Sequence, residues 1–471
     1  MNKRNKILAI IFNSYIVIFF SVLLVITESN ENLSLKAISW VNNILFLISL
    51  YEIYKVKGTI FDYSTVFSVF LFIFSTGQVI LYSLGIDTSQ MNVFKNASLN
   101  EIISATTFFI ITYQFYIIGI IAFTKKENKT DYKKIENGKL ISSIKIVATI
   151  MIFLSAYQYL YKLISYLKIS LTYGYASLFK SVNNENPSGM MEYLKYLFLP
   201  GWILLLFAYK DNKIKRRIIE IILLTIALIQ IFIGSRGASI PILIILIFFI
   251  IKYKEDLNKK DILKVGIILA AVLMVIPIFK NFRLISNKSI TSLMQTIKQS
   301  QEDNFIIETI EELGSTMYPY ILTERAVPFK QDFKYGESYI ASVLMLIPSQ
   351  LLGGESFATK AALDTWLQDI SSLSYGPGFS ILAELYYNFG KIGPVMGFFI
   401  GAFYSIIFNI KLKNEEYGKV FTIFKIIFLY LNMLAGRYPF HSTLRHLIII
   451  IIIPFLSIIL IYNHNYNKEK K

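Results

Sequence analysis

The feature that most constrains this chain is a recurring block of about 17–23 apolar residues, the first being "ILAIIFNSYIVIFFSVLLVIT" at 7–27. A helix rises 1.5 Å per residue, so about 20 such residues cross a hydrocarbon core of roughly 30 Å. Lipid offers the backbone no hydrogen bonds, which leaves helices and closed barrels as the spanning structures. Barrel strands are short and alternate apolar with polar residues, unlike these blocks. Over 471 residues only 17% are charged and 55% are hydrophobic, far from the balance of a soluble chain of that length. The expected fold class is an all-α polytopic membrane protein.

Twelve spans are expected, near 7–27, 38–54, 63–84, 102–123, 141–161, 193–209, 218–233, 238–252, 263–279, 392–410, 420–435 and 446–462. The leading "MNKRNK" before an apolar run has the pattern of a signal peptide. No small-residue cleavage site follows Val25, however, so the reading is a retained first helix. There are no cysteines, which removes disulfides, thiolate chemistry and Cys-based metal sites.

An even count puts both termini on one side, and the basic residues choose that side. With the termini in the cytoplasm, the inner segments carry 27 of the 47 Lys and Arg, in runs such as "KKENKTDYKK", "KDNKIKRR" and "KYKEDLNKK". Basic residues accumulate on the cytoplasmic side of membrane proteins, so the net charge of +16 reads as topology with some attraction to anionic lipid. It does not indicate nucleic acid. Three regions follow: an N-terminal bundle of about nine helices at 1–279, a large extracytoplasmic segment at 280–391, and about three helices at 392–471. The middle region is too long for a passive loop. Its pieces "YIASVLMLIPSQLLG" (339–353) and "FSILAELYYNF" (379–389) fit interfacial or re-entrant helices.

Polar groups cluster on the outer side in this topology. The late turn "GRYPFHSTLRH" holds Arg437, His441 and Arg445 at i, i+4, i+8, and thus one helix face unless Pro439 breaks the run. "GSRG" holds Arg236 between Gly234 and Gly237, where it could cap a tight hairpin or grip an anion with its fork. The long segment adds Arg283, Arg325, Tyr335, Glu337, Glu384 and Asn388. Glu384 is the only Asp, Glu, Lys, Arg or His between Asp369 and Lys391, inside an apolar run, and such a group is either functional or salt-bridged. Several arginines with a histidine and a carboxylate suit a ligand with an anionic head and an apolar tail. They do not suit a channel, which would want a pore ring. No zinc-protease His motif, P-loop or Rossmann loop is present, so no cofactor and no metal is expected.

"GSRGASIPIL", then "YGPGFSILAELYYNFGKIGPVMGFFIGAFY", then "GRYPFHSTLRH" resemble the Wzy family of bacterial O-antigen and capsular polysaccharide repeat-unit polymerases. The resemblance covers most of the chain and is most specific at 376–404. It implies a lipid-linked-sugar glycosyltransferase (GT-C-like) bundle in the bacterial cytoplasmic membrane. Such an enzyme joins oligosaccharide repeat units carried on undecaprenyl pyrophosphate, both donor and acceptor, at the extracytoplasmic face. It needs no metal, and a flippase and a chain-length regulator would be its partners. Arg236 fits the family's glycine-flanked arginine and Glu384 its alanine–glutamate pair, while Arg437 and Arg445 both fit the late arginine.

The chemistry agrees with that inventory: an acceptor hydroxyl needs a base, and departing pyrophosphate needs fixed positive charge. His441 titrates near neutrality by default and could take the proton; Glu384 could do so if burial made it basic enough, or could orient the acceptor. Arg236, Arg283, Arg325, Arg437 and Arg445 would bind pyrophosphate, with Tyr335, Glu337 and Asn388 accessory. The rivals are a flippase or transporter of the same lipid-linked saccharides, a ligase that hands a finished glycan to another acceptor, and a non-catalytic scaffold.

Overall fold

The computed structural model describes residues 3–26, 34–58, 63–124, 137–173, 194–233, 236–253, 305–347, 351, 357–373 and 376–468. Among these residues every regular element is helical. The first apolar blocks become α1 (Lys3–Ile26), α2 (Leu35–Lys57), α3 (Tyr63–Ser83) and α4 (Leu99–Phe123). Next come α5 (Gly138–Tyr173), α6 (Phe198–Ala208), α7 (Lys213–Ile233) and α8 (Arg236–Tyr253). Shorter helices follow, among them α9 (Phe305–Gly314), α10 (Met317–Ala326), α11 (Glu337–Leu344), α12 (Leu363–Ile370) and α13 (Ile381–Phe389). After α14 (Met396–Asn409) and α15 (Glu415–Asn432), the short helix Phe440–His446 runs through a π-helical turn, Leu447–Ile452, into α16 (Ile453–Lys468).

Eight helical stretches among the described residues are long and apolar enough to cross a membrane: those of α1 to α5, then Ile381–Asn409, Glu415–Arg437 and Phe440–Asn465. Of the other expected spans, 193–209 and 238–252 correspond to the shorter apolar helices Lys195–Ala208 and Ser239–Phe249. The span at 218–233 falls in α7, whose first turns hold Lys213, Lys215, Arg216 and Arg217, and 263–279 lies outside the described residues. Two boundaries also differ. α5 runs to Tyr173, twelve residues past the expected end at 161, because "KLISYLKISLTY" contains no helix breaker. The pieces at 381–389 and 396–409 join through a 3-10 stretch, Gly390–Val395, into one bent apolar run.

The chain forms two compact units, each drawn from three stretches of sequence. The first comprises Met1–Thr130, Thr309–Lys411 and Asn432–Arg445. Its axis is α4, of which 83% of the apolar window is buried, against 22% for α1. The N-terminus of α4 is fixed by a capping box: the Glu101 amide donates to the Ser98 hydroxyl, and the Ser98 amide donates to the Glu101 carboxylate at 2.7 Å. α1, α2 and α14 pack on α4.

The α4–α14 crossing depends on missing side chains. Lipid tails are as apolar as leucine, so helices in a membrane associate through close backbone packing at small residues. A Cβ on Gly119 would overlap the Phe398 carbonyl, one on Gly397 the Thr112 carbonyl, and one on Gly401 the Tyr116 carbonyl. Gly397 and Gly401 form a GxxxG step, and the Thr124 and Ser405 hydroxyls close the same seam at 2.8 Å. On α3, Gln78 donates to the Glu311 carbonyl at 3.0 Å and accepts from the Val93 amide at 2.9 Å, which fixes α9 against the bundle.

The second unit comprises Asp131–Glu308, Leu412–Leu431 and His446–Lys471. Here α5 is the spine. α6 lies against it where Gly201 faces Ile152 and the Ala148 carbonyl, and the Gln230 amide of α7 donates to the Tyr159 hydroxyl at 3.1 Å. The Asn137 amide donates to the Tyr462 hydroxyl of α16 at 3.1 Å, and the Tyr417 hydroxyl donates to Asn463 at 2.8 Å.

The crossing yields a direct test. Gly401→Ala should destabilise the protein by about 1–3 kcal/mol, the usual cost of overpacking. Gly138→Ala, with no atom within 4 Å of the added carbon, should leave the detergent-solubilised melting temperature unchanged.

Candidate functional site

The candidate site lies in the first unit and is built from the start of α13. Ser380 caps that helix, its hydroxyl accepting from the Ala383 amide at 3.2 Å. The first turn directs Glu384 inward, where the residue is 1% exposed. A carboxylate so buried is costly unless donors meet its oxygens. Both oxygens are met: the Ser338 hydroxyl donates to Oε1 at 2.8 Å, and the Phe440 amide donates to Oε2 at 2.6 Å. The Phe440 amide opens the helix Phe440–His446 and has no partner within it, so Glu384 supplies the missing acceptor.

Asn388 follows one turn later, fully buried. Its Nδ2 donates to the Ser338 hydroxyl at 2.8 Å and to the Glu384 carbonyl at 2.9 Å, and its Oδ1 accepts from the Gly336 amide at 3.0 Å. The Tyr335 amide donates to the Asn388 carbonyl at 2.9 Å. Tyr335 and Gly336 are both left-handed, at φ 46° and 95°. That conformation costs a residue with a Cβ about 1–2 kcal/mol and needs such anchoring. The turn leaves the Tyr335 ring 78% exposed and starts α11 at Glu337. Glu337 is paired with Lys360 at 3.0 Å and Lys334 at 3.8 Å, and these two lysines, Lys360 first, hold its carboxyl below the usual range. The pairing is present above the ordinary glutamate range and is lost as pH falls through the lowered value.

The late turn meets this assembly at Phe440. Arg437 ends a 3-10 turn, Ala435–Arg437, and Pro439 separates it from the helix that carries His441 and Arg445. The three are therefore not one helical face; His441 and Arg445 share a helix at i, i+4 and Arg437 precedes it. Half-buried, Arg437 sets its guanidinium 5.5 Å from the centre of the Phe74 ring and has no carboxylate partner among the described residues. Nε2 of His441 is 3.2 Å from the Ser442 hydroxyl, and Nδ1 is buried with no hydrogen-bond partner among the described residues. The Asp364 carboxylate and the Ala361 carbonyl bear on the same imidazole. Arg445 reaches the Met345 sulfur at 3.6 Å.

The remaining arginines are elsewhere. Arg325 is gripped by Glu101 through two bonds, at 2.5 and 2.9 Å, and also donates to the Asn96 carbonyl at 2.9 Å. Its fork could reach a phosphate only by giving up that pair. Arg236 is the first residue of α8, in the second unit, and Arg283 lies outside the described residues. Among the described residues no group of three His, Asp or Glu side chains could hold a metal ion. Sequence reasoning missed Ser338, Phe74 and Asp364. Phe74 lies inside an apolar block and Ser338 is an ordinary serine, so neither carries a local signal; Asp364 stands out only once His441 is beside it.

The family model described as O-antigen polysaccharide polymerase Wzy matches residues 10–470. The chain belongs to this family. Comparisons with curated proteins and with solved structures found no match. A Wzy-family chain with eight candidate spans is a multi-pass membrane protein of polysaccharide biosynthesis. In this Wzy-family chain the first unit gathers an imidazole, an arginine without a carboxylate partner among the described residues, and an ordered turn.

Asn388 should matter as a clamp. Asn388→Ala leaves the Gly336 amide without its acceptor and should cost about 1–3 kcal/mol. Hydrogen exchange would show this as faster exchange confined to 333–340, with α4 unchanged.

Proposed function

We propose that this protein polymerises oligosaccharide repeat units carried on undecaprenyl pyrophosphate, at the extracytoplasmic face of a bacterial cytoplasmic membrane. Family membership supports polymerisation, and the bias of Lys and Arg toward one set of loops supports the orientation. The observation that carries the site is Arg437. A half-buried guanidinium over Phe74, without a carboxylate partner among the described residues, stands four positions before His441.

In the proposed step, the acceptor unit's hydroxyl oxygen attacks the anomeric carbon of the growing glycan. His441 takes the hydroxyl proton. The new glycosidic C–O bond forms as the bond from the anomeric carbon to the phosphate oxygen breaks. The electron pair leaves on undecaprenyl pyrophosphate, whose charge Arg437 and Arg445 neutralise. Fixed arginine charge does here what a divalent cation does in other pyrophosphate-releasing sites, so the reaction proceeds without metal. Arg236 and Arg283 carry the same expectation from the sequence, and alanine variants in the same assay decide each.

Arg437→Ala should lower the polymerisation rate about a hundredfold or more, as expected for a lost charge-assisted contact at a desolvated phosphate. In cells it should leave single repeat units on the surface in place of a ladder. Loss of every outward-facing lipid-linked repeat would instead favour a flippase. With purified protein, EDTA should leave the rate unchanged; a rate restored only by added Mg²⁺ would remove the arginine-only account.

A further inference from the structure

We propose that Glu384 is a positioning residue of this reaction and not its base, holding the His441 turn through the Phe440 amide. The proposal rests on the reading of His441 and Arg437 as the transfer machinery. A base needs a lone pair that the acceptor hydroxyl can approach; each Glu384 oxygen already accepts one hydrogen bond, and at 1% exposure the side chain offers no open side for a hydroxyl to reach the lone pairs that remain. The groups that occupy it are informative. One is a backbone amide directly before His441 and three residues after Arg437. The other is the Ser338 hydroxyl, itself held by Asn388, which also anchors the Tyr335–Gly336 turn. Glu384 thus fixes the start of the helix that carries His441 and Arg445, and ties it to α11 and α13. Misplacing a reacting group by about 1 Å costs on the order of a hundredfold in rate, which is the scale available to such a residue.

Glu384→Gln separates the two roles. A glutamine keeps the shape and one acceptor oxygen for the Phe440 amide, but it cannot take a proton. The assay uses the purified full chain in liposomes, with a fluorescent lipid-linked repeat unit extracted from a strain lacking the polymerase gene. Positioning predicts that Glu384→Gln stays within about tenfold of the parent with an unchanged pH–rate profile, and that Glu384→Ala and Glu384→Asp fall about a hundredfold. Because the residue acts in part through His441, Glu384→Ala added to His441→Gln should cost clearly less than the product of the two single losses. Hydrogen exchange at 440–442 should rise in Glu384→Ala and not in Glu384→Gln.

The proposal is overturned if Glu384→Gln is as inactive as Glu384→Ala while its exchange at 440–442 stays as in the parent. It is also overturned if the alanine loss is fully additive with His441→Gln. Where Glu384→Ala fails to fold, the Gln and Asp variants carry the comparison. A parent protein that makes no polymer, or a His441→Gln variant of full activity, would strike the polymerase reading of the turn itself and this proposal with it. That outcome is distinct from an active parent whose Gln variant is dead.

Discussion

A single buried carboxylate sets the terms for the first unit. Glu384 sits in an apolar interior, where an unsatisfied charge would cost several kcal/mol. Its two donors come from residues 46 and 56 positions away in the chain. The need to satisfy one side chain therefore joins three elements that share no local sequence signal. Asn388 extends the same logic to a fourth, the left-handed turn at Tyr335 and Gly336. The short helices here, of seven to nine residues, have little intrinsic stability. Hydrogen bonds to buried side chains define where they stand.

That arrangement requires a rigid support, which the α4–α14 crossing provides. Carbonyls of α4 lie where side chains at Gly397 and Gly401 would have to be, so the two backbones are in direct contact. α14 continues through the 3-10 stretch into α13, so the position of Glu384 is inherited from that contact. The capping box on α4 has a parallel effect. Glu101 both caps the start of its own helix and binds Arg325 of α10, which attaches the segment beyond residue 309 to the bundle axis.

The arginines show how residue type alone underdetermines role. Arg325 and Arg437 look alike in the sequence, each a cation near an apolar run. The first is saturated by a bidentate carboxylate, while the second lies over an aromatic face with no carboxylate partner among the described residues. Cation–π contact holds a guanidinium in place while leaving its N–H fork open to an anion. Glu384 was legible as a candidate because no other Asp, Glu, Lys, Arg or His stands between Asp369 and Lys391. Its occupation by Ser338 and Phe440 was not legible, since neither partner is distinctive locally. The interruption at Pro439, by contrast, is one of the two outcomes the sequence allows, and it separates Arg437 from His441.

The sequence by itself determined the fold class, most of the long spans and the residues worth examining, because hydrophobic length and isolated charges are properties of a local stretch. The helices at 63–83 and 99–123 lie within a few residues of the expected spans for that reason. Only the tertiary structure decided that each unit is drawn from three separated stretches, and which cation is already paired. It also decided which backbone amide a buried carboxylate would complete. Those outcomes depend on contacts between residues tens to hundreds of positions apart. A pattern with a period of a few residues carries no record of them.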